Sequence, residues 1–171
     1  MAGPEKTLFF DFGHTIASFR FAALEMFKGI LFSYPATGVK QKYKQGESLM
    51  AWIYNVKLRT FKHNGVYKFS ASYAGAPGYK DNPEYECLRN KGPLPRGKYR
   101  IVGVPFMHKK AGVFTLRLEP DRGNSMCNRD GFLIHGDSKK SPGTASNGCI
   151  VLPPWYRQQI WDSMDKELIV E

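Results

Sequence analysis

The chain has 171 residues, of which 42% are hydrophobic and 14% aromatic; that is enough apolar surface for one domain with a real core, and it excludes general disorder. The 17 glycines and 11 prolines favour many short strands joined by turns over a helical bundle. The net charge is +10, with six Lys and Arg against four Asp and Glu in residues 1–49 and 19 against 11 in residues 50–171. A basic surface attracts any polyanion, but no run of Lys and Arg exceeds a pair and no recognition-helix, zinc-finger or RNP pattern is present, so nucleic acid is not the expected partner.

Residues 1–49 read as an extension, and residues 50–171 as the domain. From Ile16 to Phe32 the apolar positions Phe19, Ala22, Ala23, Met26, Phe27, Ile30 and Leu31 recur at helical spacing. An amphipathic helix is expected, packed on the domain or lying at a membrane surface. Arg20, Glu25 and Lys28 interrupt it too often for a bilayer span, and Met1 to Asp11 lacks the apolar core of a signal peptide. Codons for Gln45-Gly46-Glu47 can spell a ribosome-binding purine run just upstream of Met50, so a third reading takes Met50 as the physiological start and residues 1–49 as not native.

Met50 to Val56 is aromatic and β-branched and reads as a first strand. Thr60 to Gly65 is expected to turn through Asn64-Gly65, with Val66 to Tyr73 returning as its hairpin partner. A polar surface loop follows over Tyr79 to Gly92, and Pro/Gly turns then set up a strand at Lys98 to Val104. Gly112 to Leu118 alternates as another strand ended by Pro120, and Glu119 to Arg129 is a polar connection holding Cys127. Strands at Gly131 to His135 and Cys149 to Leu152, a helix near Trp155 to Met164 opened by Pro153-Pro154, and a last strand at Leu168 to Val170 complete the domain.

The stretch Phe132 to Pro153, FLIHGDSKKSPGTASNGCIVLP, carries the chemistry. A thiol becomes a good nucleophile when a base removes its proton, and imidazole is the usual base. His135 and Cys149 lie 14 residues apart, a spacing that suits neighbouring strands joined by a long loop. Gly148 lets the backbone turn tightly enough to aim N–H groups near Gly148 and Cys149 at a substrate oxygen. The Gly136 carbonyl and the Asp137 carboxylate are rival orienters of the imidazole, although an Asp after Gly is also a turn former. Cys149 leaves Cys87 and Cys127 as two buried thiols, the preferred reading, or as one bridge formed in an oxidising compartment. No metal spacing occurs and no cofactor is expected. His14, His63 and His108 have no partners in sequence and receive no role.

HGD…SNGCIVL resembles the active-site signature of the L,D-transpeptidase (YkuD-like) superfamily, an HG followed by Ser/Thr-His-Gly-Cys and apolar residues. It is most similar to the small branch described as type VI secretion effectors acting on peptidoglycan, Tlde1-like with a DUF2778 domain. The HNG turn at His63 to Gly65 and the GPLPRGKY run at Gly92 to Tyr99 extend the likeness. The resemblance implies a mainly β fold, a mixed β-sandwich or barrel with few short helices. It also implies acyl transfer on peptidoglycan stem peptides, cut between diaminopimelate and D-Ala. Release by an amine is transpeptidation, and release by water is carboxypeptidase action. Further implications are type VI delivery without a cleaved signal, an immunity protein in the producer, and action in the periplasm of target bacteria. Ser146 matches the Ser/Thr of the motif, as a substrate contact or a brace for the loop, while Asn147 stands where the pattern has His. Two other readings stay open: a papain-like cysteine peptidase or amidase, against which the His-first order speaks, and a non-enzymatic basic wall-binding module.

Overall fold

The computed structural model describes residues 50–171. The expected amphipathic helix, His14 and the whole 1–49 extension lie outside the described residues.

Nine strands and one helix make up the domain: β1 (Trp52–Asn55), β2 (Thr60–His63), β3 (Val66–Ser70), β4 (Tyr73–Ala74), β5 (Gly97–His108), β6 (Gly112–Pro120), β7 (Leu133–His135), β8 (Ile150–Val151), α1 (Pro154–Asp162) and β9 (Glu167–Val170). They form one mixed sheet in the order β3-β2-β1-β9-β5-β6-β7-β8-β4. Pairs β1/β9 and β7/β8 are parallel and the others antiparallel. The edge strands β3 and β4 are consecutive in the chain, with only Ala71 and Ser72 between them. So short a link forces the sheet to curl until its edges approach. Ala71 N–H donates to Arg59 O at 2.7 Å and Ser72 N–H to Val151 O at 2.9 Å, tying the link to both sides.

The curl has an apolar cause. Burial alternates along β1, where Trp52 and Tyr54 face inward, and along β5, where Tyr99 and Ile101 are buried between exposed Lys98 and Arg100 or their neighbours. Trp52, Tyr54, Phe61 and Phe69 from one end of the sheet share a single core with Leu116, Ile134 and Ile150 from the other. Helix α1 closes this core with Ile160, and Tyr156 stacks on Phe69 at 4.2 Å between ring centroids. The fold is therefore the mainly β one expected, with one short helix and a single 3-10 turn at Pro83–Tyr85 among the described residues.

Two expectations are corrected. Thr60–His63 is a strand in its own right, pairing with β1 as well as β3. The β1–β2 turn contains no Gly or Pro; Asn55 Oδ1 accepts the Leu58 N–H at 2.8 Å and Arg59 takes a positive φ of 59°, so the usual turn residues do not announce it. The Asn64-Gly65 turn, with φ of 53° and 75°, instead joins β2 to β3. Cys87 and Cys127, preferred as separate thiols, are joined in a disulfide that closes 40 residues of chain.

Truncating Ile134, fully buried beside the end of β7, should cost about 2–5 kcal/mol. Urea unfolding of Ile134→Ala checks this, with the exposed Lys139→Ala expected to stay within about 0.5 kcal/mol of the parent.

Candidate active site

His135 ends β7, delivered by the buried apolar pair Leu133 and Ile134, and is itself only 3% exposed. Its Nδ1 lies 2.7 Å from Gly136 O. A carbonyl only accepts, so this bond assigns the hydrogen to Nδ1 and leaves the lone pair on Nε2. Burial pushes the imidazole below its ordinary value; the Gly136 carbonyl opposes this, Arg157 and His108 add to it, and Asp137 opposes it weakly. His135 is thus a neutral, buried base.

Arg157 explains the crowding around Gly136. From α1 it donates to Leu152 O at 3.1 Å, Val113 O at 2.6 Å and Phe114 O at 2.8 Å. A Cβ at position 136 would lie 3.1 Å from its Nη2, so the glycine makes room for the guanidinium.

Cys149 immediately precedes β8. The parallel register pairs Ile134 with Ile150 and His135 with Val151. Extended by one residue, it sets Cys149 level with Leu133, two residues short of His135, a Cα separation of about 8 Å from sheet spacings. No hydrogen bond joins imidazole and sulfur among the described residues. The thiol is half-buried. Burial pushes its pKa up, whereas the Leu133 N–H, the Arg129 cation and the Cys149 N–H pull it down; the net shift is upward. The resting sulfur is therefore a protonated thiol that needs a base.

The turn before Cys149 is held from within. Ser146, 1% exposed, accepts the Gly148 N–H at 3.0 Å and donates to Cys149 O at 2.7 Å, so it braces the loop. The Gly148 N–H, expected to face a substrate oxygen, is engaged there. Asn147 lies exposed at the cleft rim with its backbone carbonyl turned inward to Arg129 at 3.3 Å. Asp137 does not reach the imidazole: it accepts from Tyr73 Oη at 2.6 Å, Ser138 N–H at 2.8 Å and Gly143 N–H at 2.8 Å, which folds the 137–145 loop. Tyr73 also accepts the Ala145 N–H at 2.9 Å.

Arg129 was not singled out by sequence. It is 7% exposed and donates to the carbonyls of Glu86, Pro93 at 2.7 Å, Gly92 at 2.8 Å and Asn147. A Cβ at Gly148, where φ is 155°, would come within 2.4 Å of its Nη2, so position 148 must be glycine for the guanidinium to pass. No local pattern marks this arginine, because its partners lie up to 43 residues away.

A cleft of about 200 Å³ opens at the thiol, lined by Arg89, Asn128, Arg129, Phe132, Asn147 and Cys149 among others. His135 is not in its wall. A larger groove of about 550 Å³ lies elsewhere, between Trp52, Lys68, Trp155 and Gln158, and holds none of the expected site residues. Of the two, only the smaller cleft is lined by Cys149. Among the described residues no group of three His, Cys, Asp or Glu is placed to hold a metal, and no helix is long and apolar enough to cross a membrane.

Residues 68–167 match the family described as the Tlde1 domain, more than half of the sequence, and the chain belongs to that family. Solved structures similar to it include an L,D-transpeptidase from Mycobacterium smegmatis, 17% identical, covering 72% of this chain and 58% of that one with a TM-score of 0.43. An Enterococcus faecium L,D-transpeptidase is 13% identical over 71% of this chain and 49% of its own, TM-score 0.45. One from Stackebrandtia nassauensis is 18% identical over 77% and 61%, TM-score 0.42. The chain thus spans about half to three fifths of the length of these structures. No curated protein matches it.

Because burial lowers the His135 pKa, the unfolded chain takes up a proton near pH 6.5 while the folded one resists it. The contribution is fully present above that pH and declines as pH falls through it. NMR titration should place the His135 imidazole below 6.5, and the urea midpoint should fall on acidification more in the parent than in His135→Gln.

Proposed function

We propose that the domain is a cysteine acyl transferase or peptidase of the L,D-transpeptidase kind, acting on peptidoglycan tetrapeptide stems between diaminopimelate and D-Ala. The observation that supports this reading is the parallel pairing of β7 with β8, whose register puts neutral His135 and Cys149, a residue of the cleft wall, at diagonal positions on adjacent strands. Membership of the Tlde1 domain family supports it.

The chemistry follows from the two ionisation states. Neither group is charged at rest, so no ion pair is lost when substrate excludes water. His135 Nε2 takes the Cys149 proton as the sulfur attacks the carbonyl carbon. With the Gly148 N–H engaged by Ser146, the Cys149 N–H is the local backbone donor for the developing oxyanion. Collapse breaks the C–N bond, the imidazolium protonates the departing D-Ala amine, and a thioester remains on Cys149. An incoming amine resolves it as transpeptidation, and water resolves it as L,D-carboxypeptidase action. Imidazole and sulfur close their gap when substrate binds, since catalytic hydrogen bonds are commonly long before substrate arrives. The Asn147 side chain, at the rim, takes the place of the motif histidine as a substrate contact.

On this reading the protein is an antibacterial effector delivered by type VI secretion into the periplasm of a neighbouring cell, with an immunity protein guarding the producer. The Cys87–Cys127 disulfide suits an oxidising compartment of that kind.

Purified sacculi treated with the protein should lose terminal D-Ala or exchange it, read by muropeptide profiling. Cys149→Ala should lower turnover by about a thousandfold or more while leaving fold and sacculus binding intact, and His135→Gln should do nearly the same. Unchanged muropeptides with the parent protein, or full turnover by Cys149→Ala, would exclude the enzyme.

A further inference from the structure

Two structural features converge on the reactive cysteine from outside the motif. The first is the Arg129 guanidinium, which ties four backbone carbonyls together: Glu86, Gly92 and Pro93 on one wall, Asn147 on the other. The Asn147 carbonyl belongs to the peptide that leads into Gly148 and Cys149, so Arg129 fixes the plane of that peptide from behind while Ser146 fixes its N–H. The guanidinium also stacks against Phe132, with Cζ 5.1 Å from the ring centroid, at the floor of the same cleft. The second feature is the disulfide. Cys87 follows Glu86 directly, and Cys127 lies two residues before Arg129. The bridge therefore joins the segment that offers the carbonyls to the segment that carries the arginine. Cys127 and Asn128 hold positive φ of 51° and 55°, a conformation that non-glycine residues keep only when their surroundings enforce it.

A buried cation is stable only while its donors are matched. If the bridge opens, the 83–93 segment keeps the Ala76 N–H bond to Lys91 O and the Glu86–Arg96 pair but loses its covalent tie to the segment that carries Arg129, so the three carbonyls it offers are held less firmly. Arg129's hold on Asn147, the weakest of the set at 3.3 Å, is then less well braced. The titratable and charged groups facing Arg129 are Tyr99, Cys149 and Glu86, and those facing the thiol reduce to Arg129 and local N–H groups.

We propose that Arg129, framed by the Cys87–Cys127 disulfide, is a positioning residue for Cys149, so that the attacking thiol is set up only when the bridge is formed. The device rests on the reading of Cys149 as nucleophile, yet it is tested on the sulfur itself rather than on wall chemistry. Dithiothreitol delivers two electrons and two protons to the bridge, releasing two thiols, and is itself oxidised to its cyclic disulfide. A protein made in a reducing compartment would thus carry a slack site, and one exported to an oxidising compartment would carry a set one.

The experiment measures alkylation of Cys149 by iodoacetamide at about pH 8, followed by mass on the Cys149 peptide. Removing the Arg129 charge with Arg129→Gln should raise the thiol pKa and cut the thiolate population, an effect only partly offset by the greater nucleophilicity of the more basic sulfur, so alkylation should slow about fourfold. Arg129→Lys keeps the charge but cannot hold four carbonyls, so it should behave as the reduced parent does, with Cys149 alkylation slower than in the oxidised parent but faster than in Arg129→Gln, and sacculus turnover lower by at least about tenfold, in kcat more than KM. Reduction of the parent by dithiothreitol should slow Cys149 alkylation, and reoxidation should restore it. The Cys87→Ser, Cys127→Ser double variant should start slow and ignore dithiothreitol. Circular dichroism reports whether each variant is folded; should Arg129→Gln unfold, the reduction arm decides. Equal alkylation in folded Arg129→Gln, or equal alkylation of oxidised and reduced parent protein, overturns the proposal. Normal alkylation effects without any wall turnover would instead count against the proposed function alone.

Discussion

The parallel pairing of β7 with β8 is the constraint on which the site depends. Parallel neighbours cannot be joined by a tight hairpin, so the chain must travel from the end of β7 back to the start of β8. The segment that does so, residues 136–149, has no regular structure and is folded by its own polar groups: Asp137 gathers Tyr73, Ser138 and Gly143, and Ser146 gathers Gly148 and Cys149. The pairing is only two residues long, but Ile134 and Ile150 are fully buried in the shared core, so slipping the register would pull both from it.

Two buried arginines bracket that pair. Arg157 fills the space beside Gly136 and lowers the proton affinity of His135; Arg129 fills the space behind Gly148 and lowers that of Cys149. Each guanidinium is held by backbone carbonyls, with no carboxylate ion pair among the described residues, which keeps its positive charge available to its neighbour. Both glycines of the motif, 136 and 148, are needed for this close approach. The glycines in the motif thus mark places where a cation passes, as much as places where the backbone turns.

Much of the fold was legible in sequence because local pattern and tertiary environment agree. Aromatic and β-branched composition marked β1, alternation marked β6, Asn64-Gly65 marked a hairpin, and Pro153-Pro154 marked the start of α1. β2 escaped because its turn is built by the Asn55 side chain and by Arg59 at positive φ, not by Gly or Pro. Pairing of the two-residue β4 with β8 escaped because so short a strand has no periodicity; only the partner across the sheet defines it.

The sequence by itself determined a basic, mainly β domain and pointed to the two side chains, His135 and Cys149, proposed to carry its reactive atoms, because residue type and short spacing are legible along the chain. Tertiary structure decided the rest: that Asp137 serves the loop and not the imidazole, that Gly148 gives its N–H to Ser146, that Cys87 meets Cys127, and that Arg129 stands behind the thiol. Each of these depends on a partner's direction or on contacts reaching across tens of residues. A one-dimensional pattern records which groups exist, and only the folded sheet fixes where their donors and acceptors point.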